Sequence, residues 1–225
     1  MPVFQLDDTL RFPNPALADE NGLLAVGGDF SVERLLLAYS SGIFPWPYQN
    51  FNYLWFSPPT RSVLVPSEIK ISKSLAKTIR SQQFEIKFDT NFDQVVRSCA
   101  SMVRKEETGT WITKQIMEAY KQLHELGYAH SVETYFEGTL VGGLYGISQG
   151  AAFFGESMFH AKTDASKVAY VALAHKVKEL GFIFIDNQLP TAHLASLGSK
   201  PIRRNVYLKL LSKSNLQPTK IGKWV

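Results

Sequence analysis

Cysteine is almost missing from this chain. Cys99 stands alone among 225 residues, so no internal disulfide can form, and its place in the helix-like run from Phe92 to Val103 suits a packed small side chain rather than a nucleophile. Long apolar runs are missing too. No stretch approaches the roughly 18 residues that span a bilayer, and Met1 to Asp8 carries neither the basic nor the apolar region of a secretory leader. A cytoplasmic protein without a membrane partner is expected. The histidines, His124, His130, His160, His175 and His193, show neither an HExxH pattern nor paired ligand spacing, and one cysteine cannot build a zinc ribbon. No metal is expected. Internal repeats and low-complexity segments are absent.

What the chain does have is enough apolar material, 45% of residues, to bury a full core, as one large domain or a small one attached to a larger. The net charge of +4 is mildly basic and compatible with a polyanionic partner without requiring one. Lys73, Lys77 and Arg80 fall at i, i+4 and i+7 of one predicted helix, which lines three cations along a face. A solvated helix face and a phosphate contact both fit that pattern.

Residues 1–60 are punctuated by proline and glycine, with one short helix from about Ser31, a plausible N-cap, to Ser40, and Gly42 after its end. This reads as a small loop-rich domain. It carries the aromatic runs Ile43 to Tyr48 and Tyr53 to Phe56, which can seal a core or present a rigid indole to a base. Residues 61–225 read as a larger unit with regular alternation. Helices are expected around Ser72 to Gln82, Asn91 to Val103 and Thr113 to Leu126, with a strand at Phe84 to Phe88. In the third helix Ile116, Ala119, Tyr120 and Leu123 recur at helical spacing. Strands Ala129 to Phe136, Thr139 to Ser148 and Ala151 to Glu156 follow, separated by the turn pairs Glu137-Gly138 and Gln149-Gly150. A helix from Ser166 to Leu180, a strand Phe182 to Asp186 and a helical tail through Tyr207 to Leu211 complete the chain. Helices, antiparallel meander, helix, strand is the order of an α+β acyltransferase-type, GNAT-like domain.

Two fragments carry chemistry. Gly155-Glu156-Ser157-Met158-Phe159 and Phe184-Ile185-Asp186-Asn187-Gln188 each set a carboxylate inside an apolar run, where an unpaired charge costs several kcal/mol. Each is either a structural ion pair or part of a site. Acyl-CoA-dependent N-acetyltransfer is the enzyme reading that such a fold suggests. CoA enzymes cradle the pyrophosphate with a glycine-rich turn after the central strand, yet Ser157 to Ser166 contains no glycine. Gly142-Gly143-Leu144-Tyr145-Gly146 sits inside the meander, where close packing explains it.

Asn21-Gly22-Leu23-Leu24-Ala25-Val26-Gly27-Gly28-Asp29, Gly42-Ile43-Phe44-Pro45-Trp46, Gly109-Thr110-Trp111-Ile112, Leu123-His124-Glu125-Leu126-Gly127 and the two carboxylate fragments occur in this order. Together they closely resemble the leucyl/phenylalanyl-tRNA protein transferases, over nearly the whole chain. The resemblance implies transfer of Leu or Phe, less readily Met, from aminoacyl-tRNA to the N-terminal Arg or Lys of a protein, as a degradation signal. It implies no metal and no organic cofactor. Glu156 would hold the α-ammonium of the donated amino acid, while Asp186 and Gln188 would stand beside the attacking amine. A carboxamide is no base, so Gln188 would orient the amine and Asp186 would attract the cationic N-terminal residue and relay its proton.

The family pattern places Leu144, Phe153, Ser157, Met158, Tyr170, Leu173, Val177 and Ile185 at the donor, although core packing accounts for each apolar one equally well. Leu144 replaces a usual Met, and Leu173 and Val177 replace usual Phe residues, which would enlarge the pocket and favour Phe over Leu as donor. Trp46 and Trp111 match positions that stack on the tRNA 3′ adenosine, and Lys73, Lys77 and Arg80 become a tRNA-backbone contact. A non-enzymatic tRNA-binding module, which would bind charged tRNA without consuming it, is the other alternative, and a monomer is the default.

Overall fold

The computed structural model describes residues 3–47, 53–102 and 110–224. Tyr48, Val103 and Gly109, named above within motifs or element ends, lie outside the described residues. The chain order is β1 (Phe4–Leu6), β2 (Leu23–Gly27), α1 (Val32–Ser40), β3 (Phe44–Pro45), β4 (Leu54–Phe56), β5 (Thr60–Leu64), α2 (Lys73–Arg80), β6 (Glu85–Phe88) and α3 (Phe92–Ser101). It continues with α4 (Lys114–Glu125), β7 (Ala129–Phe136), β8 (Thr139–Gln149), β9 (Ala152–His160), α5 (Ala165–Glu179), β10 (Phe184–Asp186), α6 (Ala192–Ser196), β11 (Lys200–Arg203) and α7 (Arg204–Asn215).

Helix starts follow local chemistry. The Ser31, Ser72 and Thr113 side chains each accept an N–H from the first turn of α1, α2 and α4, satisfying donors that the helix leaves orphaned. The meander β6-β7-β8-β9 is antiparallel throughout, and after the α5 crossover β10 returns parallel to β9. β5 and β11 add antiparallel strands beyond β10, giving the order β11-β5-β10-β9-β8-β7-β6. This is the expected α+β architecture. A separate four-stranded sheet, β1-β2-β4-β3, uses residues before Thr60.

Successive residues of β8, β9 and β10 alternate between two cores. Tyr145, Phe154 and Phe184 pack on one face with α1, α3, α4 and the small sheet. Leu144, Phe153 and Ile185 pack on the other with α2 and α5. The strands β5 and β11 and the helix α6 were not expected, and β9 runs four residues past its expected end at Glu156.

Those four residues matter. β10 pairs with β9 only as far as Asp186 opposite Phe154, whereas β9 stays paired with β8 to His160. The sheet therefore splits beyond Phe154, and a cleft opens between β9 and the chain that leaves β10.

Candidate active site

The carboxylate of Glu156 is aimed into that cleft by a β-bulge. Tyr145 pairs with Ser157 and Gly146 with Gly155, so Glu156 is the extra residue of β9 with no partner across the ladder. Glycine at 146 is required by close approach. A Cβ there would stand 2.2 Å from the Phe154 carbonyl oxygen and 2.6 Å from the Phe153 ring.

Three donors meet the Glu156 carboxylate. The Tyr39 hydroxyl donates to Oε1 (2.7 Å), the Tyr120 hydroxyl to Oε2 (2.8 Å), and Gln188 Nε2 to Oε1 (3.0 Å). The two tyrosine hydroxyls also touch each other. Burial raises the Glu156 pKa to about 7, against the pull of the tyrosine hydrogen bonds. Burial and the adjacent Glu156 push both tyrosines well above their ordinary value, so they remain donors across the neutral range.

Gln188 reaches Glu156 because its backbone is bent. Its φ of 52° is the left-handed region, uncommon for a side chain of this size. The bend is held by its own N–H, which donates to Asp186 Oδ1 at 2.9 Å. Between them Asn187 is anchored as Nδ2 donates to the hydroxyls of Tyr170 (2.8 Å) and Ser199 (2.9 Å).

Asp186, expected beside the attacking amine, meets groups of the protein itself. Its carboxylate is fully buried and is engaged by Arg61, with Nη2 at 2.8 Å from Oδ2 and Nε at 2.9 Å from Oδ1. The Tyr207 hydroxyl donates to Oδ2 at 2.7 Å. The Arg61 guanidinium lies between the Phe44 and Tyr207 rings, 4.6 Å from each centroid. Every accepting direction of Asp186 is thus taken up from inside the protein, and what it holds is the Gln188 turn.

The cleft is a cavity of about 330 Å³. Its lining brings together most of the expected residues: Glu156 and Gln188 at a polar end, Leu144, Ser157, Met158, Tyr170 and Leu173 along a wall, and Trp46 and Trp111 at the mouth. The two indoles are half-buried, with ring centroids 5.9 Å apart and planes tilted by 35°. Phe153, Val177 and Ile185 do not line it. They are fully buried behind the wall, as core packing would have them. Lys73, Lys77 and Arg80 are exposed along α2, and among the described residues none has a carboxylate partner.

Sequence reasoning missed Tyr39, Tyr120 and Arg61. Tyr120 was legible only as one of four residues on the core face of α4. Arg61 carries the same signal as the carboxylates, a charge at the head of the apolar run Val63-Leu64-Val65. Among the described residues no cluster of three or more His, Cys, Asp or Glu could hold a metal, and no helix is long and apolar enough to cross a membrane.

The family description leucyl/phenylalanyl-tRNA protein transferase matches residues 63–212, and that of the same family's N-terminal domain matches residues 28–59. A protein of Solidesulfovibrio magneticus named leucyl/phenylalanyl-tRNA–protein transferase is 50% identical over 225 residues, 100% of this chain and 91% of that protein. One of the same name from Myxococcus xanthus is 48% identical, covering 100% of this chain and 97% of its own length. Among solved structures, a GCN5-related N-acetyltransferase from Kribbella flavida aligns with a TM-score of 0.42 at 8% identity, over 73% of this chain and 58% of that one.

Proposed function

Because the chain belongs to the leucyl/phenylalanyl-tRNA protein transferase family, we propose that its cavity is where the aminoacyl ester of a tRNA meets the leading amine of a protein. The enzyme transfers an aminoacyl group from tRNA to a protein acceptor. One observation carries the placement: an apolar wall and the hydrogen-bonded pair Glu156–Gln188 share a single cavity.

In this reading a Leu or Phe side chain, or less readily Met, packs against Leu144, Met158, Tyr170 and Leu173, while Glu156 receives its α-ammonium. The 3′ adenosine stacks at Trp46 and Trp111, a contact of ~1–3 kcal/mol per base. Exposed Lys73, Lys77 and Arg80 on α2 meet the tRNA backbone. The acceptor is a protein with N-terminal Arg or Lys.

The reaction forms one peptide bond and breaks one ester. The neutral α-amine attacks the ester carbonyl, the tRNA 3′ oxygen leaves, and the amine's surplus proton passes to that oxygen or to solvent. An amine with a pKa of about 7.7–8 is partly neutral at working pH, and an ester is already activated, so little acid–base assistance is needed. Positioning supplies the acceleration, up to ~7–11 kcal/mol in favourable cases. Gln188 orients the amine through its amide. Asp186 positions Gln188, with Arg61 and Tyr207 holding Asp186.

The rival reading as a CoA-dependent N-acetyltransferase meets a specific obstacle. Asp164 sits at the N-cap of α5, and its carboxylate accepts from Lys167 (2.8 Å) and Thr78 (3.2 Å). With that side chain at the helix start and no glycine from Ser157 to Ser166, no glycine-rich turn brings backbone N–H groups around a pyrophosphate there. We place the division between two domains at residue 60, where one sheet ends and the other begins, and take the enzyme to act in the cytoplasm as a monomer.

The test is incubation of the enzyme with Phe-tRNA carrying labelled Phe and an Arg-initiated protein, then N-terminal sequencing of the product. Label at the new first position is expected. Label retained on tRNA with an unmodified protein, or transfer from acetyl-CoA instead, contradicts the reading.

A further inference from the structure

Three elements that line the cavity each carry a basic residue at its edge or just outside it. On β9, Met158 lines the cavity and His160 lies two residues on, on the same face of the strand, about 7 Å further out. On α5, Tyr170 lines the cavity and Lys167 lies one turn towards the N-terminus on the same helix face. On α6, His193 is itself part of the lining. Partial burial, Lys167 and His160 together hold the His193 pKa below its ordinary value, which places His193 in the field of both.

The collar reaches solvent, with Lys167 half-buried. His160 and His193 are solvent-exposed, and Lys167 is held in place by Asp164, which the Thr78 hydroxyl of α2 also binds. That link joins the collar to the helix bearing Lys73, Lys77 and Arg80, so cations run from α2 to the cavity mouth. Asp164, already shared between Lys167 and Thr78, is the carboxylate in the group.

We propose that His160, Lys167 and His193 form a binding site for the phosphate on the 5′ side of the donor's terminal adenosine. This rests on the proposed function. With the acyl chain against the apolar wall and the adenine at Trp46 and Trp111, the ribose occupies the mouth, and the next group along the nucleic acid is that phosphate. Imidazole donates an N–H whether neutral or charged, and an arriving phosphate favours the charged form. The collar fixes where the acceptor strand enters and so sets how deeply the ester is presented.

Minimal donors test it: Phe esterified to adenosine, with and without a 5′-phosphate, each offered with an Arg-initiated peptide. Wild-type enzyme should prefer the phosphorylated donor by about tenfold in kcat/KM, the effect of one charge-assisted contact at a half-exposed site. In His160→Gln/Lys167→Gln/His193→Gln that preference should fall to near one. A wild type indifferent to the phosphate, or a triple variant that keeps the preference, overturns the inference. Failure of the parent reading looks different, since wild type would then transfer nothing from Phe-tRNA itself.

Discussion

Gln188 donates its amide to Glu156 across 3.0 Å while its backbone N–H rests on Asp186, so one residue joins the two acidic fragments of the chain. The two carboxylates meet different partners. Glu156 faces the cavity, Asp186 faces Arg61, and the left-handed turn at Gln188 lies between them.

Gln188→Ala should lower the single-turnover rate by roughly tenfold to a hundredfold, the range of one or two directed hydrogen bonds, while donor binding changes little. Asp186→Asn should reduce the same rate by loosening the turn. If both variants alter only the acceptor KM and leave the single-turnover rate unchanged, neither residue takes part in the chemical step.

The ion pair of Arg61 and Asp186 is fully buried, so Arg61→Leu leaves a lone carboxylate in the core. A loss of ~3–5 kcal/mol is expected, a fall in Tm on the order of 10 °C for a chain of this size. Asp186→Leu added to Arg61→Leu should restore part of the stability and none of the activity, because the turn that aims Gln188 is still missing. Thermal denaturation with parallel transfer assays separates the two effects.

Glu156 makes stability fall with rising pH. Its pKa is raised from 4.5 to about 7 in the fold, so the native state binds more protons than the unfolded chain in that window, and stability from this group is lost as pH rises through it. Glu156→Gln should abolish that slope. Chemical denaturation at pH 5 and pH 8 should show the variant gaining on wild type between the two, and equal differences at both would refute the assignment.

How much of this was legible beforehand depends on the range of the contacts. Helices α4 and α5 and strands β7 and β8 carry their own periodicity and turn residues, such as Glu137-Gly138, and stand within a residue or so of where the pattern puts them. β9 was cut short because the bulge at Glu156 breaks its alternation. The small N-terminal strands and β5 and β11 pair with distant segments, which no local pattern reports. The fate of Asp186 was hidden for the same reason: its partner Arg61 lies 125 residues away. Trp46, Trp111, Leu144 and Leu173 were recognised from the family pattern and share the cavity, whereas Val177 lies one layer behind it.

Leu144 and Leu173 line the wall, and we propose that they leave room for an aromatic donor. Phe should therefore outcompete Leu when both charged tRNAs are present. Leu173→Phe should shift the ratio towards Leu by several-fold, at about 0.8 kcal/mol per buried CH2. A wild type that prefers Leu would contradict the pocket assignment.

The α2 cations are read from the salt dependence of tRNA binding. Replacing Lys73, Lys77 and Arg80 with Gln should flatten the slope of log affinity against log salt by about 0.7–0.9 for each phosphate that the helix no longer neutralises. An unchanged slope returns the three to an ordinary solvated face.

The most direct measurement is a crystal structure with Phe joined to adenosine through a non-hydrolysable amide. The account predicts the phenyl ring against Leu144, Met158, Tyr170 and Leu173, the α-ammonium at Glu156, the adenine at Trp46 and Trp111, and the carbonyl within reach of Gln188. A ligand seated elsewhere, or one whose ammonium points away from Glu156, would contradict it.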